Sequence, residues 1–242
     1  VESLACRVVR YPVVLLDNDH TLLDSDASEH DAFERIMLLI GVDDPDTLKS
    51  AYLRINRAMW AAVERHEMTP EDVRLARFAE FVPEAGLDVD PEWLAYRFTD
   101  ALGACGDLYP SARDVLEQLS SVATLALVTN GLSDVQRARI ERLRLEPYFD
   151  AIVISGEVGV VKPGPEIFDL TFGALGDPPK ETVLMVGDSL TSDIAGGAGY
   201  GIDTCWYNRN GAVAGEGSGV IHEITDLRQL PPLVRTGAVH PV

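Results

Sequence analysis

The chain has 242 residues, 46% of them apolar and 24% charged, which suits a globular protein of one large domain or a core carrying an insertion. Its formal charge of −19 argues against binding a nucleic-acid polymer, whose phosphates are held by Lys and Arg, but leaves room for a small phosphorylated metabolite held beside a cation. No stretch approaches the roughly 20 apolar residues of a membrane span, the segment around Arg7 and Arg10 lacks the apolar run of a signal peptide, and Cys6, Cys105 and Cys205 show no paired spacing. Reduced thiols in a cytoplasmic protein are therefore expected.

In chain order, the first element is the apolar run Val13-Val14-Leu15-Leu16, which stops abruptly at polar residues. From about Leu23 to Cys105 the pattern is helical. Phe33, Ile36, Met37 and Ile40 share one spacing, and Leu48, Tyr52, Ile55 and Met59 another, with Pro45, Pro70, Pro83 and Pro91 dividing the segment into about four helices. Gly106 to Pro110 then leads back to three further apolar runs, Leu125–Val128, Ile152–Ile154 and Val183–Val186. Helical patterns lie at Asp134–Leu143, Pro165–Leu175 and Ser192–Gly199. A Gly- and Asn-rich loop from Asn208 to Gly219 precedes a short strand and a last helix near Asp226–Leu233. Continuous apolar runs mark strands buried on both faces of a parallel sheet. The expected fold is thus an α/β, Rossmann-like core formed by residues 1–23 and 106–242, with a helical cap of residues 24–105 inserted after the first strand.

Ligands of open α/β sheets bind outside the carboxyl ends of the strands. Those ends carry Asp17, Asp19 and Thr21; then Thr129-Asn130-Gly131; then Gly156 to Lys162; then Gly187-Asp188-Ser189 with Asp193. Any one of these residues could be a helix cap, but together they bring carboxylates, a lysine and threonines to one crevice. Crowded carboxylates need a cation, and Mg²⁺ suits an all-oxygen set better than zinc. Asp17, Asp188 and the backbone carbonyl of Asp19 are the candidate ligands. Thr129, Lys162 and backbone N–H groups can hold the equatorial oxygens of a transferring phosphoryl group. Asp19 stands far enough from Asp17 to act as general acid and base.

These motifs, Asp17-x-Asp19-x-Thr21, Thr129-Asn130-Gly131, Lys162-Pro163 and Gly187-Asp188-Ser189 with Asp193, resemble in order and spacing those of the haloacid dehalogenase superfamily. The resemblance covers the whole chain. It implies a phosphatase that forms an aspartyl-phosphate on Asp17, which is hydrolysed by a water that Asp19 deprotonates. It also implies that Thr129, Asn130 and Lys162 bind the phosphate, and that Ser189 and Asp193 support the metal site or the lysine. Asn18 departs from the pattern, since an apolar residue is usual there, and His20 stands where Gly, Glu or Asn is common.

Asp19 speaks for phosphoryl chemistry over hydrolytic dehalogenation, which needs only the nucleophile. The cap contains only Lys49 as a lysine, on an ordinary helix, which disfavours a Schiff-base phosphonatase. The blocks Phe149–Pro163, Val183–Asp188 and Thr204–Asn208 are similar to the pyrimidine 5′-nucleotidase branch. Asn56, Arg57, Trp60 and Arg77-Phe78 in the cap also fall where that branch has similar residues. Glu67 departs, standing where glycine is expected before Met68-Thr69. The resemblance implies nucleoside 5′-monophosphates as substrates, with Asn56, Trp60 and Arg77 as candidate contacts, although Trp60 also fits a core position of its helix. A sugar or cyclitol phosphate is the alternative substrate; a sugar phosphomutase or a non-catalytic phosphoryl-binding protein are further alternatives. The chain is expected to act as a monomer or homodimer.

Overall fold

The computed structural model describes residues 9–238; Cys6 and Arg7 therefore lie outside the described residues, while Cys105 and Cys205 are free thiols. Six strands form one sheet: β1 (Val13–Leu16), β2 (Thr124–Thr129), β3 (Ala151–Ile154), β4 (Val183–Gly187), β5 (Asp203–Tyr207) and β6 (His222–Ile224). Their order is β3-β2-β1-β4-β5-β6 and every pair is parallel. All four residues of β1 are buried, as a central strand covered on both faces requires. Val14 and Leu16 enter one apolar layer with Val115, Leu119, Leu233 and Val234. Val13 and Leu15 enter the opposite layer, with Ile167, Phe168 and Phe172. The period-two alternation of a strand therefore builds two layers from one run.

Four helices follow β1: α1 (Ser25–Leu39), α2 (Asp46–Glu64), α3 (Pro70–Glu84) and α4 (Pro91–Ala104). They enclose an aromatic cluster of their own, with Phe33, Tyr52, Phe78, Phe81 and Phe98 fully or almost fully buried. The remaining helices are α5 (Ala112–Ser120), α6 (Ser133–Arg142), α7 (Ser155–Val158), α8 (Pro165–Ala174), α9 (Ala195–Tyr200) and α10 (Leu230–Thr236). No helix among the described residues is long and apolar enough to cross a membrane.

The chain enters and leaves the four-helix module through a paired stem. Leu23 bridges Leu108 in antiparallel fashion, Asp24 N–H donates to Asp107 O at 3.0 Å, and Tyr109 N–H donates to Leu22 O at 2.8 Å. Gly106 makes the stem possible, because its φ is +83° and a Cβ there would fall 2.5 Å from Ser28 Cβ.

One sequence expectation needs correction, and two local features go beyond the sequence reading. Pro83 does not divide the helices; it sits one residue before the end of α3, where only one hydrogen bond of the last turn is lost. Thr204 to Tyr207 belongs to a fifth strand beyond the four strong apolar runs, its polar start at Asp203 hiding it from the apolar pattern. At the α2–α3 turn the left-handed residue is His66, with φ 59°. Glu67 therefore needs no glycine conformation, and its carboxylate pairs with Arg65 at 2.7 Å.

Candidate active site

The strand order reverses direction between β1 and β4, so a crevice opens above their carboxyl ends. Asp17 N–H continues the ladder by donating to Val186 O at 3.0 Å, which fixes the Asp17 backbone against β4. The crevice, about 430 Å³, is lined by Asp17, Asp19, Lys162 and Asp188 from the strand ends and by Asn56, Trp60 and Arg77 from the helical module.

Lys162 is 1% exposed, and its ammonium donates to Asp17 Oδ1 at 2.6 Å, Val128 O at 2.6 Å and Asp193 Oδ1 at 2.7 Å. Those three acceptors use all of its protons. Burial alone would favour neutral lysine, but the two carboxylates outweigh it and hold the ammonium form. Asn130 secures this lysine: its side chain donates to Lys162 O and accepts from Lys162 N–H, both at 2.9 Å. The Asn130 amide is thus committed to the Lys162 backbone. Thr129 Oγ1, at the end of β2, is buried with no hydrogen-bond partner among the described residues.

Asp17, Asp188 and Asp193 offer carboxylate oxygens that all lie within 4.8 Å of one another. Burial pushes the Asp17 carboxyl up to about 7, with Asp193 adding to the shift against Lys162. Burial pushes Asp188 up to about 9, and Asp193 and Asp17 add to it. No hydrogen-bond donor reaches the Asp188 carboxylate among the described residues, whereas its backbone carbonyl is held by Trp206 Nε1 at 2.8 Å. Three carboxylate oxygens this close together could hold a hard cation. Gly187 allows this crowding, since a Cβ there would fall 2.1 Å from Asp193 Oδ2. Ser189 supports the turn that follows: its N–H donates to Asp193 Oδ2 at 3.0 Å and its Oγ accepts from Ser192 N–H at 3.1 Å.

Asp19 stands apart from this cluster. Its carboxylate accepts from Ser25 Oγ at 2.6 Å, from Arg139 Nη1 at 2.7 Å and from Gln136 Nε2. Burial raises its carboxyl, but Arg139, Ser25, His20 and Gln136 together outweigh that and hold it below the ordinary range. His20 has φ 59°, and its Nδ1 lies 3.9 Å from the Asp26 carboxylate, on the rim rather than in the carboxylate cluster.

The helical module contributes a second polar group. Arg77 is 2% exposed and donates from Nη1 to Asn56 Oδ1 at 2.8 Å and to Tyr52 OH at 3.3 Å. Asn56 in turn donates to Glu29, which also accepts from Tyr52 OH at 2.9 Å. Arg77 Nε and Nη2 have no acceptor among the described residues. Trp60 lines the crevice and also packs against Val63, Val73 and Val161, so its ring serves both sides.

Sequence reasoning missed Ser25, Gln136 and Arg139 around Asp19, and Glu29 and Glu64 in the module. Glu64, on α2, lines the crevice, and burial pushes its carboxyl up. The only available signal was the i, i+3 placement of Gln136 and Arg139 beside Val135 and Ile140 on α6, a polar pair within an apolar stripe.

Comparison with known proteins identifies the family. A family model of haloacid dehalogenase-like hydrolases matches residues 11–201. The pyrimidine 5′-nucleotidase PynA of Streptococcus pneumoniae is 35% identical over 199 residues, covering 82% of this chain and 84% of that protein. The pyrimidine 5′-nucleotidase YjjG of Escherichia coli is 31% identical over 226 residues, 93% of this chain and 99% of its own. The structure of the HAD-hydrolase YfnB of Bacillus subtilis, solved with magnesium, is 32% identical with a TM-score of 0.85, covering 93% of this chain and 99% of that one.

Proposed function

Because the chain belongs to the haloacid dehalogenase-like hydrolase family, we propose that it is a Mg²⁺-dependent phosphomonoesterase acting through an aspartyl-phosphate on Asp17, with pyrimidine-type nucleoside 5′-monophosphates as substrates. The observation that carries this reading is the convergence of Asp17, Lys162, Asp188 and Asp193 at the β1/β4 crevice with Asp19 beside them but outside the cluster.

Asp17, Asp188 and the Asp19 carbonyl would hold Mg²⁺, with Asp193 and Ser189 supporting them. When bound, the ion neutralises the carboxylates and draws charge from the phosphoryl oxygens. The chain's own residues do the rest. The Asp17 carboxylate attacks phosphorus while the bond to the leaving oxygen breaks, and Asp19 gives that oxygen its proton. A water then attacks phosphorus as Asp19 takes its proton, and the bond to Asp17 breaks. Lys162 holds Asp17 in place and supplies positive charge to the incoming phosphate. The unpartnered Thr129 hydroxyl supplies a donor for a phosphoryl oxygen.

The substrate reading rests on the two nucleotidase relatives and on Arg77. Arg137 uses its Nε–Nη2 edge to hold both oxygens of Glu157 at 2.7 Å each. The same edge of Arg77 is buried without an acceptor among the described residues, its guanidinium lying against the Tyr52, Phe78 and Phe98 rings; a base carbonyl would use this two-donor fork only after that packing opens toward the crevice. Asn56 and Glu29 hold that fork in position, and Trp60 offers an aromatic wall.

Phosphate release from a panel of nucleotides, sugar phosphates and cyclitol phosphates tests the proposal. Turnover of UMP-type substrates, lost with chelator and with Asp17→Asn, is expected. Activity in Asp17→Asn would remove the nucleophile assignment, and turnover of sugar phosphates alone would move the substrate to that class.

A further inference from the structure

We infer that Gln136 and Arg139, with Asn18 behind them, are positioning residues that select Oδ2 of Asp19 as the oxygen that carries the proton. The inference rests on the acid–base reading of Asp19.

A carboxylate has two oxygens, each able to accept two hydrogen bonds. Oδ1 of Asp19 accepts from Ser25 Oγ at 2.6 Å and from Arg139 Nη1 at 2.7 Å, which uses both of its sites. Ser25 itself accepts the His20 N–H at 3.2 Å, so its hydroxyl proton is free to point at Asp19. Among the described residues Oδ2 accepts from Gln136 Nε2 alone, so one of its two acceptor sites remains for a proton. The two oxygens are therefore inequivalent, and only Oδ2 can bind a proton without displacing an existing donor.

The arrangement depends on which end of the Gln136 amide faces Asp19. Its carbonyl end would repel the carboxylate. The acceptor-only Asp19 carboxylate draws Nε2 toward it, and Asn18 matches that orientation by donating from Nδ2 to Gln136 Oε1 at 2.6 Å, while Asn18 Oδ1 has no partner among the described residues. Asn18 is fully buried, a costly place for an amide unless it does this bonding. This explains the polar residue at a position of the first motif where an apolar one is usual. Gly131 leaves space for the amide, since a Cβ there would fall 2.7 Å from Gln136 Nε2.

Arg139 lies one turn along α6 on the same face. It is 3% exposed, and its other N–H groups donate to Ser28 Oγ at 2.9 Å and Leu102 O at 3.2 Å. Contacts from α1 and α4 thus fix the guanidinium that fills Oδ1. In the first step Oδ2–H protonates the leaving oxygen as the P–O bond breaks and its electron pair moves to that oxygen. In the second, Oδ2 takes a proton from the attacking water.

Leaving-group dependence tests this without reference to pH. p-Nitrophenolate departs without a proton, whereas the alkoxide of a nucleoside 5′-monophosphate requires one. The value of kcat/KM covers the first step only, up to departure of the leaving group. General acid catalysis is worth roughly 10²–10⁴-fold, so Asp19→Asn should lower the alkyl-to-aryl ratio of kcat/KM by about 100-fold or more. Gln136→Met should lower that ratio by about 10-fold, a partial loss of the same effect. Asn18→Leu restores an apolar residue to a buried position and should lower the ratio in the same direction by less, even if Gln136→Met folds poorly. Equal losses on both substrates in the Gln136 and Asn18 variants would indicate a structural role and overturn the inference. An unchanged ratio in Asp19→Asn would instead overturn the acid–base reading beneath it.

Discussion

Lys162 shows how one buried charge organises the residues around it. Its three acceptors come from the residue just after β1, from β2 and from the helical turn after β4, so a single ammonium joins three strand ends. Removing it leaves two buried carboxylates facing each other. Lys162→Met should therefore lower stability by about 3 kcal/mol, read as a lower urea midpoint at unchanged slope. Gly187→Ala should act on geometry instead. A methyl group 2.1 Å from Asp193 Oδ2 must displace that carboxylate. Turnover should fall roughly 100-fold while the fold persists, because small misplacements in a positioned site are amplified. Asp17 and Asp188 were legible in the sequence because each directly follows an apolar strand, and Lys162 because it closes the segment that leads on from β3. Gln136 and Arg139 were not legible. They share a helix with Arg137, Glu141 and Arg142, and the sequence does not say which charges of such a helix face inward.

At the scale of elements, α3 is defined by its ends. Thr69 Oγ1 accepts from Asp72 N–H at 3.2 Å, Asp72 accepts from Thr69 N–H at 2.8 Å, and Pro70 occupies the first helical position. Thr69→Ala should cost about 1 kcal/mol. Hydrogen exchange should show the loss concentrated in the first turn of α3; an even loss over the whole chain would contradict the local origin. Helices α1 and α2 were readable from their periodicity, as the burial of Phe33, Ile36, Met37, Tyr52 and Ile55 bears out, while α3 and α4 were readable only from the prolines at their starts. The polar network of Glu29, Tyr52, Asn56 and Arg77 was not. Its members come from three helices, and only packing brings them together.

The charge balance of the whole molecule converges on the carboxylate cluster. Asp17 and Asp188, pushed up to about 7 and about 9, keep protons in the folded protein that the unfolded chain releases near 3.8. Where the folded state binds more protons, stability falls as pH rises. Metal-free protein should thus lose stability progressively from about pH 4 to pH 9. Asp19 acts in the opposite sense: its lowered carboxyl contributes stability above the ordinary carboxylate range, lost only in acid. Mg²⁺ competes with the raised protons, so the Tm gain on adding it should be larger at pH 8.5 than at pH 6, and a gain that shrinks with pH would contradict the site. The sheet order was not legible, because adjacency of β1 to β4 follows from crossovers that no local pattern records.

The paired stem at Leu23 and Leu108 has a consequence for how such a protein can change over time. Once the two stem strands are bonded, the core meets the inserted segment as one closed loop, whatever that loop contains. Doubling the length of such a loop adds only about 0.6 kcal/mol of closure entropy. The part of the segment that supplies Asn56, Trp60 and Arg77 can therefore lengthen or shorten at little entropic cost to the sheet carrying Asp17, as long as Ser28, Leu102 and Arg74 keep their bonds to Arg139 and Asp134 on α6. Under the proposed function, substrate preference could then change at a different rate from the bond-breaking chemistry within one chain.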